Sequence, residues 1–153
     1  SLGQAKAEGA SLSAIQASTT SVRFTALDDE LPVEPGRILK VTSLNGGLYT
    51  LKIDGQTIVS GTESQWREGL PLTQGPAHQQ AAKLRELVAA KNAQYFNRWR
   101  PQNETYIFGF RKKEQGHLAP EIPAFDPIIE KMEAEIAKLR VPAPHSFVLE
   151  REK

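Results

Sequence analysis

Between residues 21 and 61, apolar and polar side chains alternate with the two-residue period of half-buried strands. SVRFTAL sets Val22, Phe24 and Ala26 against polar neighbours, and ILKVTSL, GLYTLKIDG and QTIVSG repeat the pattern. Asn45-Gly46-Gly47 and Asp54-Gly55 separate these segments. Both predict tight hairpin turns, because Asn, Asp and Gly accept the positive φ that such turns require. Past Gly61 the period lengthens. Thr62 and Gln65 have capping-box spacing, and Gly69 closes a short helix. From Gly75-Pro76 a long helix is predicted, with Ala81, Leu84, Val88, Tyr95 and Trp99 on one buried face and Pro101 as its stop. A second helix opens at Asp126-Pro127, with Asp126 as N-cap and Ile128, Met132, Ile136 and Leu139 turned inward. HSFVLE, residues 145–150, adds a last edge strand.

These elements predict an α+β fold: a small antiparallel β-sheet or partial sandwich, followed by two helices that flank an ordered loop. Three zones divide the chain. Residues 1–19, rich in Ala, Ser, Gly and Thr, read as a loosely held lead-in; 20–74 form a β-rich subdomain; 75–153 form a helical subdomain with an Arg/aromatic loop.

Composition narrows the function classes. A chain of 153 residues suits one domain or two very small ones, and 39% hydrophobic with 24% charged residues is ordinary globular usage. The absence of Cys removes disulfides, thiolate metal sites and a Cys nucleophile. No apolar run approaches the roughly 20 residues of a membrane span. The opening Ser-Leu-Gly reads as the start of a piece of a longer protein. A net charge of +1 gives no global field for nucleic acid, although residues 83–113 carry eight Lys or Arg against Glu86 and Glu104 alone.

Catalytic chemistry is sparse. His78 falls in the first turn of the long helix, where a cation opposes the helix dipole, so it reads as a neutral surface residue. His117 follows a glycine and His145 a Pro-rich stretch; no serine elbow accompanies any of the three. No His-x-x-x-His pair exists, the one Glu-x-x-His (Glu114–His117) has no second such pair to complete a ligand set, and Asp28-Asp29-Glu30 reads as a solvated turn, so neither a metal nor another cofactor is expected.

The densest chemistry lies in YFNRWRPQNETYIFGFRKKEQG, residues 95–116, where six aromatic rings interleave with Arg98, Arg100 and Arg111. One reading makes the arginines forks for carboxylate or phosphate, with Trp99, Tyr106 and Phe108 as stacking faces. The stronger reading makes the rings core and the guanidiniums clamps beside Asn103 and Glu104, ordering the loop and offering a docking surface. The docking candidates are therefore Arg98, Trp99, Arg100, Asn103, Glu104, Tyr106 and Arg111.

This stretch, together with EIPAFDPIIEKMEAEIAKLRVPAPH and the upstream LKVTSLNGGLYTLKIDGQTIVSGTESQWREGLPLTQGP, resembles the C-terminal region of large SGNH/GDSL-type hydrolases of planctomycetes and related bacteria. The likeness spans about residues 20–148 and is most specific at RWRPQNETYIFGFRK and EIPAFDP. Lys113 and His117-Leu118 depart from the family, whose members often carry His and Asn-Asn there. The resemblance implies an ester hydrolase or lipase/acylhydrolase parent, extracytoplasmic in location. The chain has no Gly-Asp-Ser, Gly-x-Asn-Asp or Asp-x-x-His block, so no catalytic residue transfers to it. The expected role is a non-catalytic accessory domain that docks on the catalytic SGNH domain or on a second copy of itself, without nucleic acid or a membrane span. Two alternatives stay open. One is a carbohydrate-binding module using Tyr49 and Trp66; the other is an independent hydrolase built on Asp126, Glu104 or His145.

Overall fold

A computed structural model of the protein describes residues 5–32, 36–100 and 119–153. The chain is α+β, as its patterning predicts, and divides into two compact units. Unit 1 comprises residues 1–81 and 141–153; unit 2 is the intervening 82–140.

Unit 1 carries strands β1 (Ala10–Ala17), β2 (Ser21–Asp28), β3 (Arg37–Leu39), β4 (Leu48–Ile53), β5 (Gln56–Thr62), β6 (Leu70–Leu72) and β7 (His145–Arg151). Five of them form an antiparallel sheet in the order β1-β2-β7-β4-β5, and β3 pairs with β6 in a separate two-stranded sheet. Two expectations change here. HSFVLE is a central strand, since its carbonyls and amides pair with β2 on one side and β4 on the other. Part of the expected lead-in forms β1, which takes its partner from β2.

Asp54-Gly55 does make the β4–β5 turn, with φ of 49° and 81°, the left-handed conformation of a tight hairpin. Asn45-Gly46-Gly47 does not turn β3 onto β4. Tertiary bonds claim it instead: the Asn45 amide donates to Thr19 O at 2.8 Å, and the Tyr49 hydroxyl contacts Asn45 O at 2.8 Å and Thr19 O at 3.0 Å. These bonds seat the loop over a buried aromatic ring, leaving β3 to find β6.

The core sits on one face of the large sheet. Tyr49, Leu51 and Ile53 alternate inward from β4, Leu149 joins them from β7, and Trp66 lies across them. Trp66 belongs to α1 (Glu63–Glu68), whose N-terminus carries the expected capping box between Thr62 and Gln65. Its indole donates to Gly61 O at 3.1 Å, so the buried ring has no unpaired N–H. Ile58 is the extra residue of a bulge in β5 and is itself buried. Phe24 and Phe147, directly opposite on β2 and β7, stack with centroids 4.8 Å apart. Tyr49 and Trp66 are wholly buried, which removes both rings as a glycan-stacking platform.

α2 (Pro76–Trp99) begins at the predicted proline; residues 82–99 of it lie in unit 2 with a 3-10 turn (Ala119–Ala124) and α3 (Phe125–Leu139). The inward row of α3 is Phe125, Ile129, Met132, Ile136 and Leu139, at steps of four and three. Ile129 rather than Ile128 is the buried member. Asp126 is not the cap, since the helix starts two residues earlier than expected, at Phe125, and Ala124 takes the N-cap position without a side-chain bond. The Asp126 carboxylate is engaged by Arg98 instead.

Candidate functional site

The register of unit 1 gathers charged and imidazole side chains at one end of its sheet. Ala26 of β2 pairs with His145 of β7, and Asp28 lies two residues on, on the same face as Ala26. Ile53 pairs with Phe147, which brings the β4–β5 turn beside the start of β7. A cavity of about 30 Å³ opens there, lined by Asp28, Arg37, His78 and His145, with Ile53 and Leu72 among its apolar walls. His78 reaches it from the first turn of α2, so it is part of a site rather than a surface residue.

Asp54 fixes His145. Its Oδ2 lies 2.7 Å from His145 Nδ1, its Oδ1 accepts the Ser146 amide at 2.8 Å, and its own amide donates to Ser146 O at 2.9 Å. A carboxylate at this distance only accepts, so Nδ1 carries a proton, and in the neutral form of the ring the lone pair is at Nε2. Nε2 of His145 and Nε2 of His78 are both buried without a hydrogen-bond partner. An imidazole oriented by a carboxylate is the base half of a nucleophile-activating triad. The other half is missing: among the described residues no hydroxyl bonds Nε2.

The two carboxylates are shifted in opposite senses. Burial raises the Asp28 carboxyl above its ordinary value, against the opposing pull of Arg37 and then of His145 and His78; neighbouring Asp29 adds to the rise. Asp54 is held below its ordinary value, because the Ser146 amide and the His145 ring together outweigh the upward push of burial. Arg37 sits with Nε 3.3 Å from Asp28 Oδ1, while its Nη1 and Nη2 donate to the carbonyls of Glu8 and Glu30. Among the described residues no group of three His, Asp or Glu side chains is arranged to hold a metal ion.

The residues expected to form the docking surface are placed only in part. Asn103, Glu104, Tyr106 and Arg111, like His117, lie outside the described residues. In unit 2, Arg98 clamps Asp126 through Nε and Oδ1, with Nη2 and Oδ2 3.4 Å apart. Two turns back along α2, Lys91 Nζ reaches Glu133 Oε1 at 3.7 Å, so charge pairs tie the inward face of α2 to α3. Arg98 thus pairs with Asp126, whereas the clamp expected beside Asn103 and Glu104 falls outside the described residues. The burial expected for the helix stripe does not: Tyr95 is 57% exposed and Trp99 49%, with Phe96 at 53% beside Trp99, ring centroids 6.3 Å apart. Lys91, Gln94 and Arg98 occupy the more buried row in their place. Arg100 follows at the end of the helix.

The cluster around His145 was not legible from the sequence as a site. Asp54 and His145 are 91 positions apart, and Asp54 was accounted for fully by its turn. A period-two reading of HSFVLE puts His145 on the face of Phe147 and Leu149, the one signal that its ring turns toward the core.

No protein-family model and no curated protein matches the chain. Among solved structures it is similar to a gut microbial diltiazem-metabolizing enzyme, with a TM-score of 0.74 and 19% sequence identity. The likeness covers 96% of this chain and 47% of that one, so the fold described here spans about half the length of its structural neighbour.

Proposed function

We propose that this chain is a non-catalytic accessory unit of an SGNH/GDSL-type ester hydrolase, docking on the catalytic domain through the exposed aromatic end of α2. The observation that carries the reading is the bare Nε2 of His145. The only carboxylate-oriented imidazole among the described residues has no hydroxyl to activate. The occurrence of this fold as about half of a longer enzyme supports the reading, as do the sequence likeness and the three exposed rings Tyr95, Phe96 and Trp99. Such a row of rings beside Arg98 has the composition of an interface centre.

The test is an esterase assay on short acyl esters, run on the chain alone, on the parent catalytic domain alone and on their mixture. The isolated chain is expected to show no turnover, and the mixture to exceed the catalytic domain. Trp99→Ala is expected to weaken that gain without unfolding the chain, since its ring is half exposed. Turnover by the chain alone that disappears in His145→Gln would reverse the assignment in favour of an independent hydrolase. A chain that pairs with itself and ignores the catalytic domain would replace the docking partner with a second copy.

A further inference from the structure

We propose that the His78–His145 cavity of unit 1 is a binding site for a primary ammonium group, the head of an alkylamine or of a lysine side chain. This inference is independent of the accessory role, since it uses only side chains of unit 1.

Three features select the guest. The first is hydrogen-bonding sense. Asp54 holds a proton of His145 on Nδ1, so in its neutral form the ring offers an acceptor at its buried, unpartnered Nε2. His78 contributes a second buried Nε2 without a partner, and a donating guest selects the tautomer in which that atom accepts. Asp28, a carboxylate, lines the same cavity. A guest therefore meets acceptors, and an ammonium brings three N–H donors.

The second feature is charge. With neutral imidazoles, Asp28 and Asp54 outnumber Arg37 by one, and Asp29 adds to the negative side at Asp28. Arg37 is already engaged by Asp28 and by two backbone carbonyls. The burial that raises the Asp28 carboxyl is relieved by a cation placed against it. The first turn of α2 brings partial positive charge to the same place, which keeps the affinity modest and favours a guest that donates several bonds at once.

The third feature is size. A cavity of about 30 Å³ exceeds the roughly 10–15 Å³ that a single water requires. That room is enough for an –NH₃⁺ head. The apolar walls from Ile53, Leu72 and Pro76 suit the methylene that follows such a head.

The experiment is an NMR titration of the 153-residue chain at pH 7.5 with methylammonium chloride, following the imidazole resonances of His78 and His145. Tetramethylammonium chloride and sodium chloride at matched ionic strength are the controls. Saturable shifts of both rings are expected with methylammonium and not with either control. Asp28→Asn is expected to weaken the saturation about tenfold or more, the loss of one charge-assisted hydrogen bond. Equal shifts with tetramethylammonium, or unsaturable shifts with every salt, would overturn the proposal and leave the cavity to water. The comparison of the two ammonium ions in the wild-type chain decides the matter even where Asp28→Asn fails to fold.

Discussion

Replacing Tyr49 by Phe removes one oxygen from a ring that is completely buried. That hydroxyl is 3.0 Å from Thr19 O and 2.8 Å from Asn45 O, and its single hydrogen is shared between them. The two carbonyls fare differently when it is deleted. Thr19 O keeps the Asn45 amide at 2.8 Å, whereas Asn45 O has no second bond of that kind to fall back on. The cost is one lost hydrogen bond plus one stranded acceptor, about 1–2 kcal/mol. For a domain of this size that is a fall in Tm of roughly 2–8 °C. Urea unfolding followed by Trp66 fluorescence measures it, in a Trp99→Phe background that silences the tryptophan of unit 2. The midpoint is expected to fall with the urea dependence unchanged. Had Asn45-Gly46-Gly47 been a free hairpin turn, the hydroxyl would bond nothing in it and the change would be near neutral. A loss below about 0.3 kcal/mol would therefore refute the seating of this loop on Tyr49, since even a weak net hydrogen bond contributes about 0.5 kcal/mol.

Three further outcomes are expected. Leu51→Ala, at a wholly buried position in the middle of β4, should cost about 3 kcal/mol in the same urea assay. Gly36→Ala should separate β3 from β6, because an added Cβ would lie 2.0 Å from Leu72 O, a backbone atom that cannot swing aside; faster exchange of the Ile38 and Leu39 amides, with a loss of about 2 kcal/mol, would register it. The acid limb of stability should carry two opposed contributions. Asp54, whose folded pKa is depressed, stabilises above its unfolded value near pH 4 and loses that contribution as pH falls through the lower folded value. Asp28, whose folded pKa is raised, favours the folded state when protonated and loses that advantage as pH rises through its raised value. Thermal melts between pH 2.5 and 7 should show the loss on acidification flattened in Asp54→Asn. In Asp28→Asn the fall on the other side of pH 4 should disappear; unchanged profiles in both variants would contradict the assignments.

What could be read in the residues was local in origin. The capping box of Thr62 and Gln65, the turn at Asp54-Gly55 and the start of α2 at Pro76 all depend on bonds or dihedrals within a few positions, and each formed as expected. What escaped was set by distant partners. Asn45-Gly46-Gly47 has hairpin chemistry, yet Thr19 and Tyr49 outbid the turn. The α2 stripe pointed Tyr95 and Trp99 inward on hydrophobicity alone, whereas the ion pairs of Lys91 with Glu133 and Arg98 with Asp126 turn the charged row toward α3. Of the candidate site, Arg98 stood out in the sequence as an ion-pairing residue because Arg among aromatics and amides is a recognisable composition. Its partner was not, since nothing in Asp126-Pro127 distinguishes a capping carboxylate from one drawn away by a guanidinium. The Asp28, Asp54, His78 and His145 cluster exists only once β7 is threaded between β2 and β4.

That threading has a consequence for biosynthesis. β1, β2, β4 and β5 leave the ribosome as two hairpins that share no ladder, and the strand that joins them is translated about 80 residues after β5. At about 5–20 residues per second the wait lasts roughly 4–16 s. Throughout it, the edges of β2 and β4 that will receive β7 stand open with unpaired backbone groups, competent to recruit a neighbouring nascent chain. The interval of greatest aggregation risk is therefore the translation of the inserted unit. Slowing the ribosome over residues 82–140 lengthens that exposure.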